Sequence, residues 1–175
     1  MKKNQQKGIT LITLSITIII LIILASIVFY TGKESIKKAD LEGLKTNMLL
    51  IETKAKEYVE NANFKLGINP NVDTMYEKAK ENLIGEEKGT VVTVDDEIVK
   101  TLLEIGIEQE DIEKGKVYKL TTENLQNMGI QHVNSNDEDG WYIILYNLEN
   151  ATAEIYNTKG YEGKYSLTDI KEFEM

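Results

Sequence analysis

Residues 8–32 read GITLITLSITIIILIILASIVFYTG and contain no charged side chain, with Lys7 before the stretch and Lys33 after it. A helix rises about 1.5 Å per residue, so these 25 residues would extend roughly 37 Å, against a bilayer hydrocarbon core of about 30 Å. The polar members carry hydroxyl groups, which a helix tolerates in lipid because each can bond the carbonyl one turn back. The stretch therefore predicts a membrane-spanning helix.

The flanking charge predicts how that helix is oriented. Lys2, Lys3 and Lys7 precede the stretch, and the positive-inside bias places them in the cytoplasm and the rest of the chain outside. A secretory signal peptide fits poorly, because its apolar core is only about 7–15 residues long. A plain uncleaved anchor explains the span and stays open as an alternative.

Composition excludes several classes of protein. The 175 residues include no Cys, one His and one Pro, and the formal net charge is −9. Without Cys there is no disulfide, thiolate nucleophile or Cys-ligated metal, and an acidic chain repels nucleic acid. The single His132 has no recognisable catalytic partner, so we predict that the protein is not an enzyme.

Residues 33–66 have the spacing of an amphipathic helix, with apolar positions three to five residues apart and Lys and Glu between them. We expect this stripe to pack on a head domain. Its apolar positions are Ile36, Leu41, Leu44, Met48, Ile51, Ala55, either Tyr58 or Val59, and Ala62. A turn cluster around Pro70, at residues 67–71, ends the helix.

The middle of the chain predicts short elements. A helix capped by Asp73 covers residues 73–83, and a second, capped by Asp95 or Asp96, covers residues 97–105. Residues 90–94, TVVTV, are predicted to form a short strand. The acidic run at residues 108–113 is most simply a solvated face.

The last third predicts an antiparallel sheet. A strand at residues 117–120 leads into a short helix within residues 121–130, with a Thr cap from the pair Thr121-Thr122 and a stop at Gly129. Strands at 141–146 and 152–156 form a hairpin around a turn at 148–150. A strand at 165–167 and a turn capped by Thr168 close the chain. The predicted fold class is α+β, with a long N-terminal helix, half membrane-spanning and half amphipathic, packed on a small antiparallel head.

One cluster of oxygen-bearing side chains stands at residues 134–140, which read NSNDEDG. The simplest interpretation is a solvated turn before the strand that starts at Trp141. The alternative is a Ca²⁺ site with Asn136, Asp137 and Asp139 as ligands, since Ca²⁺ prefers such oxygens. We expect no other metal or cofactor.

The start of the apolar stretch is distinctive. Lys7-Gly8-Ile9-Thr10-Leu11-Ile12 is a short cationic leader ending in Gly, followed at once by the apolar helix. It resembles the signal of the type IV pilin and type II secretion pseudopilin family. The resemblance implies that a prepilin peptidase cleaves between Gly8 and Ile9 and that Ile9 becomes N-methylated.

The resemblance also implies an organisation of the chain. Residues 1–8 would be the prepilin leader, 9–32 the transmembrane and filament-core helix, 33–66 its amphipathic continuation, 67–115 a helical variable region and 116–175 the α/β head. The filament-core positions would include Thr13, Leu14, Ile18 and Leu21. Most family members carry Glu where this chain has Thr13, so the chain resembles either a minor or tip subunit or the Gram-positive group that lacks this acid.

A second, shorter resemblance lies in the head. The pattern Y-x-L followed by L-x-x-x-G-I is similar to that of Gram-positive pilin-like heads. The residues that carry it are Tyr118, Leu120, Leu125, Gly129 and Ile130.

The family resemblance implies a structural subunit of a cell-surface filament, a homo- or hetero-polymer with other pilin-like subunits. A prepilin peptidase would process it, and an assembly platform and ATPase would drive polymerisation indirectly. Secretion, adhesion, DNA uptake and motility all stay open, as do major and minor subunit roles. The rival interpretations are a membrane-tethered extracellular binding module with an uncleaved anchor and an enzyme on a stalk.

Overall fold

The computed structural model describes the backbone of residues 5–66, 88–147 and 152–173, and side chains in 14–27, 32–62, 88–147 and 152–173. The chain divides into two compact units, Met1–Glu42 and Gly43–Met175, and one helix, α1 (Gln5–Leu66), runs through both. The other helices are α2 (Val99–Glu104), α3 (Gln109–Glu113), α4 (Thr122–Asn127) and α5 (Leu167–Glu172). The strands are β1 (Thr90–Val91), β2 (Val117–Leu120), β3 (Tyr142–Asn147), β4 (Thr152–Tyr161) and β5 (Lys164–Ser166). The fold is α+β, as predicted.

The five strands form one antiparallel sheet in sequence order, β1-β2-β3-β4-β5. The central ladder aligns Lys119 with Ile143 and Ile143 with Tyr156. Because side chains alternate along a strand, these three residues share one face, and the opposite face carries Tyr142, Ile144 and Tyr146. A different part of the chain packs on each face of the sheet.

Short helices cover the first face. The buried residues packed there are Val92, Leu102 of α2, Ile107, Ile112 of α3, Val117, Ile143 and Tyr156. The acidic run at 108–113 is thus more than a solvated face: most of it is helical, with Ile112 buried in the core. This acidic run still contributes one apolar side chain to the core, because one side of a helix on the protein surface faces inward.

The part of α1 in the second unit packs by the predicted stripe. There Met48, Ile51, Ala55, Val59 and Ala62 are all buried. Leu41 of the predicted stripe belongs to the first unit and is buried as well. Of the alternatives Tyr58 and Val59, the structure buries Val59 and leaves Tyr58 half-buried, and Leu44 is half-buried too. Ile36 is 63% exposed, so its assignment to the packed stripe was wrong. The Asn47 amide donates to the Tyr142 hydroxyl at 3.4 Å, which places this part of α1 on the second sheet face.

One of the predicted helix caps is confirmed, and two are wrong. A Thr caps α4 as predicted, and the structure identifies it as Thr121, whose hydroxyl accepts from Asn124 N at 3.2 Å in a capping box; Gly129 follows with φ 84°. Asp96 does not cap α2; its carboxylate instead accepts from Thr93 N at 2.6 Å. Ser166, not Thr168, caps α5, because its hydroxyl accepts from Asp169 N at 3.1 Å.

The β3–β4 hairpin is confirmed, and its turn at 148–150 lies outside the described residues, as do the predicted turn at 67–71 and helix at 73–83. The strand predicted at 90–94 is shorter, Thr90–Val91. The strand β4 continues to Tyr161 and turns directly into β5, so the last strand starts one residue earlier than predicted. The turn residues Glu162 and Gly163 both have positive φ, as in a type I′ hairpin.

Candidate functional site

The first unit exposes a dense apolar surface. Ten large apolar side chains between Leu14 and Ile27 are 48–61% exposed. They are Leu14, Ile16, Ile18, Ile19, Ile20, Leu21, Ile22, Ile23, Leu24 and Ile27. Ile18 to Leu21 are four consecutive residues, and a helix has 3.6 residues per turn, so every side of this segment is apolar. A helix that is apolar all round belongs in a membrane or in a larger apolar assembly.

The polar side chains of the segment can be accommodated in lipid. The Ser26 hydroxyl donates to the Ile22 carbonyl at 2.7 Å, the bond to the preceding turn that the sequence predicts for hydroxyls in this helix. By length and composition, the helix is long and apolar enough to cross a membrane. The structure is therefore compatible with a single membrane anchor near the N-terminus.

The predicted processing residues lie at the beginning of α1. Lys7, Gly8 and Ile9 are in the helical backbone, whereas Lys2 and Lys3 lie outside the described residues. The side chains of Lys7, Ile9 and Thr13 are likewise outside the described part of the chain. Cleavage between Gly8 and Ile9 stays a prediction.

Of the predicted filament-core positions, Leu14, Ile18 and Leu21 are exposed. They are spaced by four and three residues, so they lie along one side of the helix. This line is available to lipid or to another helix.

The stretch that follows the apolar segment is charged. Lys33, Lys37 and Lys38 are exposed, and Glu34 and Asp40 stand among them. This change from apolar to charged surface occurs within a few residues of Gly32, as expected where a helix leaves the hydrocarbon region.

The oxygen-rich loop is organised by its own hydrogen bonds. Asn136 Oδ1 accepts from Glu138 N at 2.9 Å and from Asp139 N at 2.8 Å, and its amide donates to Asp139 Oδ2 at 3.2 Å. Asp137 Oδ1 accepts from the indole N–H of Trp141 at 2.8 Å. The loop is a turn closed by a bridge between Asn136 and Gly140. No set of three or more His, Asp or Glu side chains is grouped for a metal ion in the described residues.

Burial and hydrogen bonding shift the pKa of several ionisable groups in the second unit. Burial opposes ionisation of Glu52, but hydrogen bonds from Lys56 and Lys171 outweigh it and lower the pKa of Glu52. Burial raises the pKa of Tyr118 and of Tyr142, so both remain neutral hydroxyls at ordinary pH.

The head also holds a connection that the sequence did not reveal. The Ser135 hydroxyl donates to the Leu120 carbonyl at 2.6 Å and accepts from Tyr142 N at 2.9 Å. One buried side chain thereby ties the loop to the end of β2 and the start of β3. The signal for this role is absent from local sequence, because Leu120 is fifteen positions away.

No protein-family model, curated protein or solved structure matches the chain. The features that bear on function are the apolar helix, the head into which it continues, and the residues at the predicted processing position.

Proposed function

We propose that this protein is a prepilin-like or pseudopilin-like structural subunit of a type IV pilus or type II secretion-like filament. A prepilin peptidase would cleave it between Gly8 and Ile9, and the exposed N-terminal helix would then assemble with other pilin-like subunits. The observation that carries the proposal is the apolar surface of Leu14 to Ile27, exposed on every side of one helix that continues into a folded α+β head.

The physical logic of storage and assembly follows from that surface. In the bilayer, lipid chains cover the apolar side chains without a hydrophobic driving force between helices. In a filament, neighbouring helices would replace the lipid, and packing would decide which helices associate. The proposed work is mechanical rather than catalytic, and its energy would come indirectly from a platform and ATPase.

Thr13 distinguishes the proposed subunit from the common family pattern. A carboxylate at this position would be expensive in lipid, about 2.5–3.5 kcal/mol for Asp at a helix centre, unless a neighbouring amine paired with it. Thr13 avoids that expense and forgoes the pairing. Two roles fit, a minor or tip subunit and the Gram-positive variant lacking the acid.

The proposed topology places the N-terminus in the cytoplasm and the head outside. Three of the twenty lysines precede the cleavage position, so the mature chain carries seventeen lysines against twenty-nine acidic residues. Heads of such negative charge repel one another when crowded. Assembly would therefore need opposite patches on neighbouring subunits or bound cations, and filament yield should depend on salt.

Mass spectrometry of the N-terminus, on protein isolated from its own host, tests the proposal. We expect a mature chain that begins at N-methylated Ile9. Gly8→Val should block processing, because a peptidase that accepts the flexible Gly would exclude a branched side chain. Gly32→Val is the matched control, since a side chain at Gly32 meets no atom within 4 Å and lies far along the chain from the scissile bond.

Two outcomes would contradict the proposal. The first is an intact Met1 on all of the cellular protein together with no polymer in shear fractions, which would favour the tethered binding module with an uncleaved anchor. The second is trimming at the same bond in Gly8→Val, which would show that another protease acts there.

A further inference from the structure

The first sheet face is only partly covered by α2 and α3, and a groove of about 610 Å³ remains beside them. Its floor consists of Lys119 on β2, Trp141 at the start of β3 and Thr158 on β4. These residues meet because the antiparallel register brings the three strands together at this end of the sheet. We call this the sheet-face groove.

Trp141 is held firmly in the floor. Its backbone N–H donates to the Thr158 hydroxyl at 2.8 Å, its carbonyl accepts from Thr158 N at 3.0 Å, and its indole N–H donates to Asp137 at 2.8 Å. The Lys119 ammonium lies 4.6 Å from the indole ring centre, a cation–π contact. The groove thus already holds one lysine on an aromatic ring.

The walls of the groove are acidic. Asp96 and Glu97 line one side with Ile98, Asp137 lies beside the indole, and all three acids are exposed. The three carboxylates outnumber the single ammonium of Lys119. A groove with this charge and an aromatic floor fits a second, incoming lysine-bearing segment better than an anion.

The chain itself carries a segment of matching chemistry. Residues 33–38 read KESIKK, all six are exposed, and Ile36 is the most exposed large apolar residue of the described chain at 63%. Charge complementarity therefore identifies one occupant. We propose that the sheet-face groove of one copy binds the lysine-rich segment 33–38 of a second copy, with Ile36 against the Trp141 and Ile98 side of the groove.

This inference rests on the proposed function, because it supplies the opposite patches that crowded acidic heads need. The two complementary surfaces would be the sheet-face groove and segment 33–38. The binding would be electrostatic at its rim, so it should weaken as salt rises.

Trp141 is the only tryptophan, so its fluorescence reports on the groove directly. The experiment titrates the full chain, dilute in detergent micelles, with a synthetic peptide of residues 32–38 whose ends are blocked, so that it keeps the net positive charge of the segment. We expect a saturable change in Trp141 emission, lost when the peptide's three lysines are replaced by Gln. Tetralysine should bind more than tenfold more weakly than the segment peptide, because it lacks the apolar contact.

Two variants and a control make the test specific. Glu97→Lys should weaken binding roughly tenfold, because a wall carboxylate becomes a repelling ammonium. Glu104→Lys makes the same charge change on exposed α2 outside the groove lining and should change binding less than twofold. Lys119→Met should tighten binding about threefold or more, since it removes a like charge from the floor, and misfolding cannot produce such a gain.

Equal binding of the Gln peptide or of tetralysine, or equal weakening by Glu104→Lys, would overturn the inference. These results are independent of N-terminal processing. If Ile9 is methylated and filaments form but the peptide does not bind, the proposed function stands and the groove contact is wrong. If the peptide binds but Met1 is intact, the groove contact stands and the proposed function is wrong.

Discussion

Lys171 Nζ lies 3.0 Å from Glu52 Oε2, an ion pair between the last helix of the chain and α1, across 119 positions of sequence. The other oxygen of Glu52 accepts from Lys56 at 2.9 Å. Leu167 and Ile170 are buried beneath this contact, so α5 is attached to the head by an apolar side and an ionic edge. The C-terminal helix is part of the fold rather than a loose tail.

This pair should contribute to stability in a pH-dependent way. The pKa of Glu52 is lowered below 4.5 in the folded chain, so its stabilisation is complete above about pH 4.5 and disappears as pH falls through the lower folded value. We expect Lys171→Met to cost about 0.5 kcal/mol at pH 7 and less at pH 3, because the partly exposed pair is screened by solvent.

The measurement is urea unfolding of the full chain in micelles, followed by Trp141 fluorescence. Lys100→Met, which removes an exposed lysine of α2, is the control and should cost the same at both pH values. A cost for Lys171→Met that does not change between pH 7 and pH 3 would contradict the ionic contribution.

Ser135→Ala should be more destabilising than its size suggests. Ser135 is 2% exposed, and its loss would leave the Leu120 carbonyl and the Tyr142 N–H buried without this partner. We expect a loss of about 1–3 kcal/mol in the free energy of unfolding. Thr53→Ala removes an exposed hydroxyl that bonds its own helix and should stay within about 0.5 kcal/mol. Similar losses of stability for the two variants would contradict the role of Ser135 in tying the loop to β2 and β3.

Substitutions at two glycines distinguish the cost of backbone strain from the cost of a steric clash. Gly129 and Gly160 both have positive φ, 84° and 59°. A side chain at Gly129 meets nothing within 4 Å, whereas at Gly160 it would collide with the Lys164 carbonyl and the Tyr165 ring. Gly129→Ala should cost about 1–2 kcal/mol through strain alone, and Gly160→Ala about 1–3 kcal/mol more. Thermal unfolding of the two variants measures which one loses more stability. Equal losses, or a larger loss for Gly129→Ala, would contradict the prediction.

The membrane anchor can be tested by charge. Replacing Leu21 and Ile22 with Asp places two carboxylates in the middle of the apolar surface, at about 2.5–3.5 kcal/mol each. We expect much of this variant to be extracted from membranes by alkaline carbonate, whereas the double Ala variant stays membrane-bound. Retention of the Asp variant equal to that of wild type would show that Leu14 to Ile27 does not lie in lipid.

Sequence reasoning succeeded where the cause is local. A Thr caps α4 because the Thr121 hydroxyl and the Asn124 N–H that donates to it are only three residues apart. The β3–β4 hairpin was predictable because both strands are rich in β-branched and aromatic residues. It failed where local alternatives compete. Asp96 could cap a helix or accept from Thr93, and only the path of the chain after Val92 decides between them. Thr168 was predicted as the cap because Ser166 was assigned to the last strand, and only the observed start of α5 at Leu167 makes Ser166 the capping residue.

The candidate sites divide in the same way. The apolar span was recognisable from residue order, since hydropathy needs no partner from elsewhere in the chain, whereas processing between Gly8 and Ile9 stays a prediction. The sheet-face groove was not, because Lys119, Trp141 and Thr158 become neighbours only through strand register.

Residue order alone thus determined that the chain begins with a helix fit for a membrane and continues into an α+β head, because hydrophobicity, helical periodicity and caps act over a few residues. Tertiary structure alone decided which carboxylate contacts Lys171, which backbone groups Ser135 bonds and which side chains surround Trp141. Those contacts join residues that are far apart in the chain, and their formation depends on the register and packing of the whole sheet.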